Sequence, residues 1–341
     1  MQIGSIWVPV IVLLSITAVF TIGGGLSAVI YTDTLQTVIM LFGGILVAIV
    51  SSFQIGGLQN LNSKFLESDV ESLINPNVTC GRMDEENLSV MKKITDEDFP
   101  WLGVITGMTI NSIWYWCSDQ VIVQRCLSAK SFTEAKAATV LCSFLKISSI
   151  FMMLYPGMIS RILFPEVVGC IDSESCFEQC GMKRCNDIAY PYLVLKILPH
   201  GVIGLLLAVM LSALMSSLTS TFNSASSIIT LDIYPKIHAV FKNKAPSETT
   251  LMIVSRVAVL SLIGISVAWI PVVQENQTGS LFVYVQMVSS YLQPPIAAIY
   301  VLGVFFEKAN EFGVFWSLIL GWHLIQRRIY EIFRSSNTIN L

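Results

Sequence analysis

The stretch "WLGVITGMTINSIWYWCSDQVIVQRC", residues 101–126, decides how the chain is read. It begins as an unbroken apolar run and ends with Trp114, Tyr115 and Trp116 set against Asp119, Gln120 and Arg125. Apolar runs of about 20 residues match the hydrocarbon core of a bilayer. An acid, an amide and a base at the end of such a run need a physical reason, and the reason depends on the rest of the chain.

That rest is similarly apolar. Of 341 residues, 54% are hydrophobic and 13% charged, about half the charge of a soluble domain, and the mean hydropathy is +0.68. The apolar residues come in long blocks rather than in 3.6- or 2-residue periods. The expectation is an all-α polytopic membrane protein with spans near 5–22, 27–53, 101–124, 137–160, 200–230, 251–272 and 280–306. An eighth apolar segment, 312–325, is short for a crossing. The first span lacks a basic leader and makes a poor signal peptide. "GGG" at 23–25 argues for a helix hairpin. The net charge of −3 carries little information, and no basic run points to nucleic acid.

Lysine and arginine in short loops orient the chain. Arg125, Lys130 and Lys136 mark one cytoplasmic loop, and Lys236, Lys242 and Lys244 mark another. Residues 54–99, with four basic and nine acidic residues, fall outside by alternation, as do 161–199 and 273–279. Sequons at Asn77 and Asn87 lie in the first of these outer loops. Cys170, Cys176, Cys180 and Cys185 cluster in the second, where disulfides persist, and Cys80 is a further outer cysteine without an obvious partner. A third sequon, Asn276-Gln-Thr278, lies too near the bilayer for glycosylation.

Polar groups inside the spans cost free energy, roughly 2.5–3.5 kcal/mol for Asp, Lys or Arg at a helix centre. Lys146 is near mid-span, either snorkelling or paired. Asp33, Gln36 and Thr37 share a helix face, as an interfacial wet end or as a cation site reached from the cytoplasm. In "LMSSLTSTFNSAS" (214–226), with Ser212 ahead of it, Ser212, Ser216, Thr219 and Asn223 form one stripe. Ser217, Ser220 and Ser224 form another. Small hydroxyls serve helix packing, and with backbone carbonyls they also suit a hard cation such as Na⁺. Ser112, Tyr115 and Asp119 share one face in 101–124, behind a Gly103/Gly107 GxxxG that signals close packing or a helix break. Aromatic faces beside hydroxyls and amides suit a sugar, while an interfacial aromatic belt is the plainer account. Gln286 lies in a span whose helix hydrogen-bond ladder Pro294-Pro295 must interrupt, a sign of a helix break. No metal cluster, nucleophile or phosphate loop appears, so transport outranks catalysis and no cofactor is expected.

"GGLSAVIYTDTLQTVIM", "WYWCSDQVIVQRCLSAK", "PGMISRILFP", "CNDIAYP", "LMSSLTSTFNSAS", "AWIPVVQ" and "SYLQPPIAA" occur in that order over roughly 15–322. In these strings the chain resembles the sodium/glucose cotransporter family, within the sodium:solute symporters. The resemblance implies a LeuT-type five-plus-five inverted-repeat transporter fold, partial here, with about eight hydrophobic segments. Residues 1–53 would be the last two core helices of the first repeat, 54–99 an outer loop, 101–306 the second repeat, and 307–341 a partial helix with a divergent tail. It implies Na⁺ ligands at Ala213, Ser216 and Ser217, with Asp33 tied to a second Na⁺ or to coupling. It implies sugar partners at Ser112, Lys146 and Gln286, and a stacking platform and inner gate at Tyr115 and Trp116. Asp119, Gln120 and Arg125 would organise the inner half of that helix.

The chain departs from the family pattern in places. Its first span resembles the fourth core helix, and the resemblance implies that residues 1–341 would not include the family's broken first core helix. Val283 stands where the family has an acid, and the resemblance implies that Cys80 would pair with a distant loop not included in these residues. The function implied is Na⁺-coupled symport of a glucose-like hexose or myo-inositol in the plasma membrane, with Na⁺, sugar or polyol, and lipid as partners. The alternative is a shortened, non-transporting form acting as a sugar sensor or as a modulator of a full-length transporter.

Overall fold

A computed structural model describes residues 7–68, 85–89, 91–96, 100–169, 185–242, 244–275 and 281–339. The expectations placed on Asn77, Cys80, Cys170, Cys176, Cys180 and the Asn276 sequon lie outside these residues. Asn87 and Cys185 are described in backbone only, each in a short 3-10 turn.

The described residues are helical, with a single isolated bridge between Lys92 and Pro100. The principal helices are α1 (Trp7–Gln54), α2 (Leu61–Leu66), α3 (Trp101–Ile113), α4 (Gln120–Leu127), α5 (Phe132–Ser149), α6 (Tyr155–Leu163), α7 (Ala189–Ile197), α8 (His200–Ser227), α9 (Tyr234–Lys242), α10 (Glu248–Glu275), α11 (Leu281–Phe305) and α12 (Glu311–Ile339). Wider, π-helical turns follow α3 at Trp114–Ser118, join α5 to α6 at Ile150–Leu154, and join α8 to α9 at Ile228–Ile233. Among the described residues, five helical stretches are long and apolar enough to cross a membrane: Val29–Gln54, Phe132–Leu163, His200–Lys242, Glu248–Pro271 and Leu281–Phe305.

Two compact units emerge, residues 1–88 with 129–280, and residues 89–128 with 281–341. In the first, α1 runs antiparallel along α8. Leu14, near the start of α1, packs with Phe222 of α8 and Val259 of α10. Val47 and Ile55, at the other end, pack with Leu206 of α8 and with Ile159, Leu193 and Val194. Between these ends the helices approach closely at Gly43, where a Cβ would come to 2.9 Å from a Leu206 methyl and 3.4 Å from Val209. A Schellman cap ends α1, the Gly57 N–H reaching the Ser52 carbonyl at 2.9 Å. It needs Gly56 at φ 79°, a conformation that favours glycine. The Lys64 ammonium donates to the freed Ile55 carbonyl at 2.8 Å.

Four expectations change. The hairpin at residues 23–25 is absent, and α1 is one helix of 48 residues. Each glycine costs about 1 kcal/mol relative to Ala but keeps its N–H, and no proline or turn residue adds to the three. At 1.5 Å per residue α1 is about 72 Å long, over twice a hydrocarbon core of about 30 Å. Of its two apolar parts, Val29–Gln54 has the length of a crossing and Val8–Gly24 is shorter.

Conversely, the expected 101–124 span is broken, because Asp119 is extended at φ −66°, ψ 120° and starts α4 as its N-cap. Pro294 and Pro295 do not break α11, which runs through both. They remove only the N–H groups that carbonyls 290 and 291 would accept. The segment 312–325 is part of a 29-residue helix, α12, not a short piece before a separate tail.

Candidate functional site

In the first unit the antiparallel register of α1 and α8 sets Asp33 against the serines of α8. The Ser216 hydroxyl donates to Asp33 Oδ1 at 2.5 Å and the Ser220 hydroxyl to Oδ2 at 3.1 Å. Asp33 is 6% exposed, so a buried carboxyl group is held by hydroxyl donors. Short O–H···O⁻ bonds are among the stronger ones. Ser216 and Ser220 stand one helical turn apart, which is why one carboxylate can receive both.

Ser217 points elsewhere. It is exposed, and its hydroxyl donates to the Ala213 carbonyl at 3.1 Å. Beside Asp33, Thr32, Gln36, Met215 and Thr219 help line a small cavity of about 40 Å³, enough for a water or a small ion. Gln36 Oε1 is buried there without a hydrogen-bond partner. The cavity's own oxygens are hydroxyl and amide, from Thr32, Thr219 and Gln36. With the Asp33 carboxylate, next to Thr32 but outside these walls, they are hard donors, suited to Na⁺ rather than to a soft metal. Lys146 is exposed on α5, also in the first unit.

In the second unit the opening stretch explains its own polar end. α3 widens into the Trp114–Ser118 turn, and the Asp119 N–H reaches back five residues to the Trp114 carbonyl at 3.0 Å. Asp119 Oδ1 accepts the Val121 N–H at 3.0 Å, satisfying a donor left open by the restart of the helix. Arg125 sits in the last turn of α4, where its charge complements the helix dipole. Gln120 begins α4 and is half-buried.

The wide turn and the break shift the helical phase, so Ser112, Tyr115 and Asp119 do not share one continuous face. Ser112 is exposed, while Tyr115 and Trp116 are half-buried. Their rings meet edge to face, 5.2 Å apart at 87°, so they do not form one flat platform. Gln286 lies in a cleft of about 290 Å³ between α3 and α11, with Gly103, Gly107, Asn111, Phe282 and Ser290 among its walls.

Sequence reasoning passed over two residues that this geometry brings forward. Ser220 stood only as a stripe member, although its spacing of four from Ser216 was a signal. Asn111, next to Ser112, was not singled out.

The sodium:solute symporter family model matches residues 4–321. Sodium/myo-inositol cotransporter 2 of Oryctolagus cuniculus is 49% identical over 317 residues, 93% of this chain and 46% of that protein. Sodium/glucose cotransporter 1 of Mus musculus is 47% identical over 332 residues, 96% of this chain and 49% of that protein. The chain thus spans about half the length of the curated relatives it matches. Among solved structures, a Na⁺-coupled sialic acid symporter in a substrate-bound outward-open state matches with a TM-score of 0.66 at 19% identity. That match covers 91% of this chain and 58% of the other, and it places the helices in the same fold. With its apolar crossing helices and a family match over nearly its whole length, the chain belongs to the sodium:solute symporter family.

Proposed function

We propose that this chain works in sodium-coupled symport of a neutral hexose or polyol, of the glucose or myo-inositol kind, across the plasma membrane. The observation that carries the reading is the buried Asp33 carboxylate facing the Ser216 and Ser220 hydroxyls across α1 and α8. A buried carboxylate is costly unless paired. Na⁺ among these oxygens, with Gln36 Oε1 within the same region, offsets that cost. Ala213 and Ser217, which bond to each other on a different face of α8, belong to a separate Na⁺ position, with Asp33 serving the second ion or the coupling. Sodium is the coupling ion, no organic cofactor takes part, and the chain is not an enzyme.

Substrate partners are assigned within each unit by itself: Ser112, Tyr115, Trp116 and Gln286 in the second unit, and Lys146 in the first. Asp119, Gln120 and Arg125 form the inner gate. Residues 1–53 and 101–306 correspond to parts of two inverted repeats, an arrangement that rocks around a site near the midplane. Na⁺ drives that motion only through a difference in its affinity for the two states. The glucose and myo-inositol cotransporters among the relatives support this substrate class. The test is Na⁺-dependent uptake of labelled glucose and myo-inositol by cells that display the chain at the surface. Uptake above the vector control that vanishes in choline buffer is expected. None above control, with surface display established, overturns the proposal.

A further inference from the structure

The cleft of the second unit is built from two facing ladders with the same spacing. Gly103, Gly107 and Asn111 recur every four residues on α3, and Phe282, Gln286 and Ser290 do so on α11. Residues four apart lie above one another on one helix face. The glycines remove side chains opposite α11 and leave space. At one end of that space the next step of the ladder places an amide, Asn111. Gln286 is the second amide, from the opposite wall.

Both are half-buried. Among the described residues, no hydrogen bond links either side-chain amide to the protein. The Ser290 hydroxyl donates to the Met287 carbonyl at 2.7 Å, leaving its oxygen able to accept. No charged side chain lines the cleft. The volume of about 290 Å³ is the share of roughly ten waters, enough for one six-membered ring with its hydroxyls.

We propose that Asn111 is a specificity-determining residue that selects neutral, multiply hydroxylated ligands in this cleft. An amide offers one acceptor and two donors. That is the complement of two neighbouring hydroxyls, each of which both gives and takes a hydrogen bond. A ligand carrying a carboxylate finds no cation here, and one carrying an ammonium finds no anion. Sugar acids and amino sugars therefore lose solvation in the cleft without compensation. A ligand that lacks the hydroxyls leaves Asn111 and Gln286 unpaired, which is how polar sites reject apolar analogues.

This inference rests on the sugar or polyol reading given above, and the experiment separates the two. Binding of labelled myo-inositol and of glucose to the purified full chain in NaCl is measured at equilibrium, so no turnover is needed. The variants are N111L, N111D and Q286A. Loss of one ligand-facing amide is expected to weaken binding about tenfold in N111L. N111D should bind both neutral ligands less well and gain affinity for glucosamine over glucose. Wild-type affinities in N111L and N111D, with Q286A weakened, overturn the role of Asn111 and leave the substrate reading standing. Wild-type affinities in all three, or no binding by the unsubstituted chain, overturn both. Thermal stabilisation by Na⁺, which reads the first unit, identifies any variant that has failed to fold. For such a variant, N111S replaces N111L as the deciding comparison.

Discussion

Replacing Asp33 by Asn keeps the volume of the side chain and removes its charge. Without Na⁺ the two effects oppose each other. Two hydroxyl bonds to a carboxylate, at 2.5 and 3.1 Å, become bonds to a neutral amide, a loss of about 1 kcal/mol each. Against that, the variant no longer holds a charge at 6% exposure, a burial that costs several kcal/mol. D33N should therefore melt at the wild-type temperature or above it in Na⁺-free buffer. With Na⁺ the balance reverses. A cation sharing these oxygens would lie within about 4 Å of the carboxylate, worth about 4 kcal/mol at an effective dielectric constant near 20. Even half of that is about thirtyfold in affinity. The assay is thermal unfolding of the purified chain across a Na⁺ titration, with choline holding ionic strength constant. The half-saturating Na⁺ concentration should rise at least thirtyfold in D33N. A change of less than threefold, or a D33N chain already much less stable than wild type without Na⁺, would refute the reasoning.

Gln286→Ala should raise the half-saturating sugar concentration and leave that of Na⁺ nearly unchanged, and Ser217→Ala should do the reverse. Equal effects on both ligands in titration binding would contradict the separate assignments. Asp119→Ala removes the cap of α4 and should cost about 1 kcal/mol, with Asp119→Asn close to wild type in thermal melts. Gly43→Val places methyls where a Cβ already meets Leu206 and Val209 at 2.9 and 3.4 Å. Overpacking of about 1–3 kcal/mol should lower the melting temperature. Burial raises the Tyr190 phenol above its usual 10.0, so its contribution to stability is full below pH 10 and is lost as pH climbs through the raised value. A chemical-unfolding series from pH 9 to 11 should show that decline, and Tyr190→Phe should flatten it.

Much of the helical layout was legible because a bilayer imposes its thickness on composition. Phe132–Leu163, Glu248–Pro271 and Leu281–Phe305 follow directly from long apolar blocks. Local irregularities were less so. The 101–124 block has the hydropathy of one span, and the sign of its break is a capping aspartate within "CSDQV", which an apolar average conceals. "GGG" and "PP" suggest breaks by their local chemistry, yet the glycines keep their N–H groups in α1, and α11 continues with only the two proline N–H groups lost. The site divides in the same way. A polar face around Asp33 and a serine-rich α8 could each be seen. Their meeting could not, because Asp33 and Ser216 are 183 residues apart and only the antiparallel register joins them. The choice of Ser220 over Ser217 as second partner is a matter of rotation about α8, which stripes alone leave open.

The cap on α4 also has a mechanical consequence. Because Asp119 supplies an acceptor from its own side chain, the joint after Ser118 is closed without any ligand, and a turn about it would carry α4 as a short lever. That lever has eight residues and a length of about 12 Å. A swing of about 15° would move its far end about 3 Å, close to the diameter of one water. If α4 forms the inner gate proposed above, an arm this short would admit water. Passing a ring-sized solute requires α3 or a larger body to travel with it.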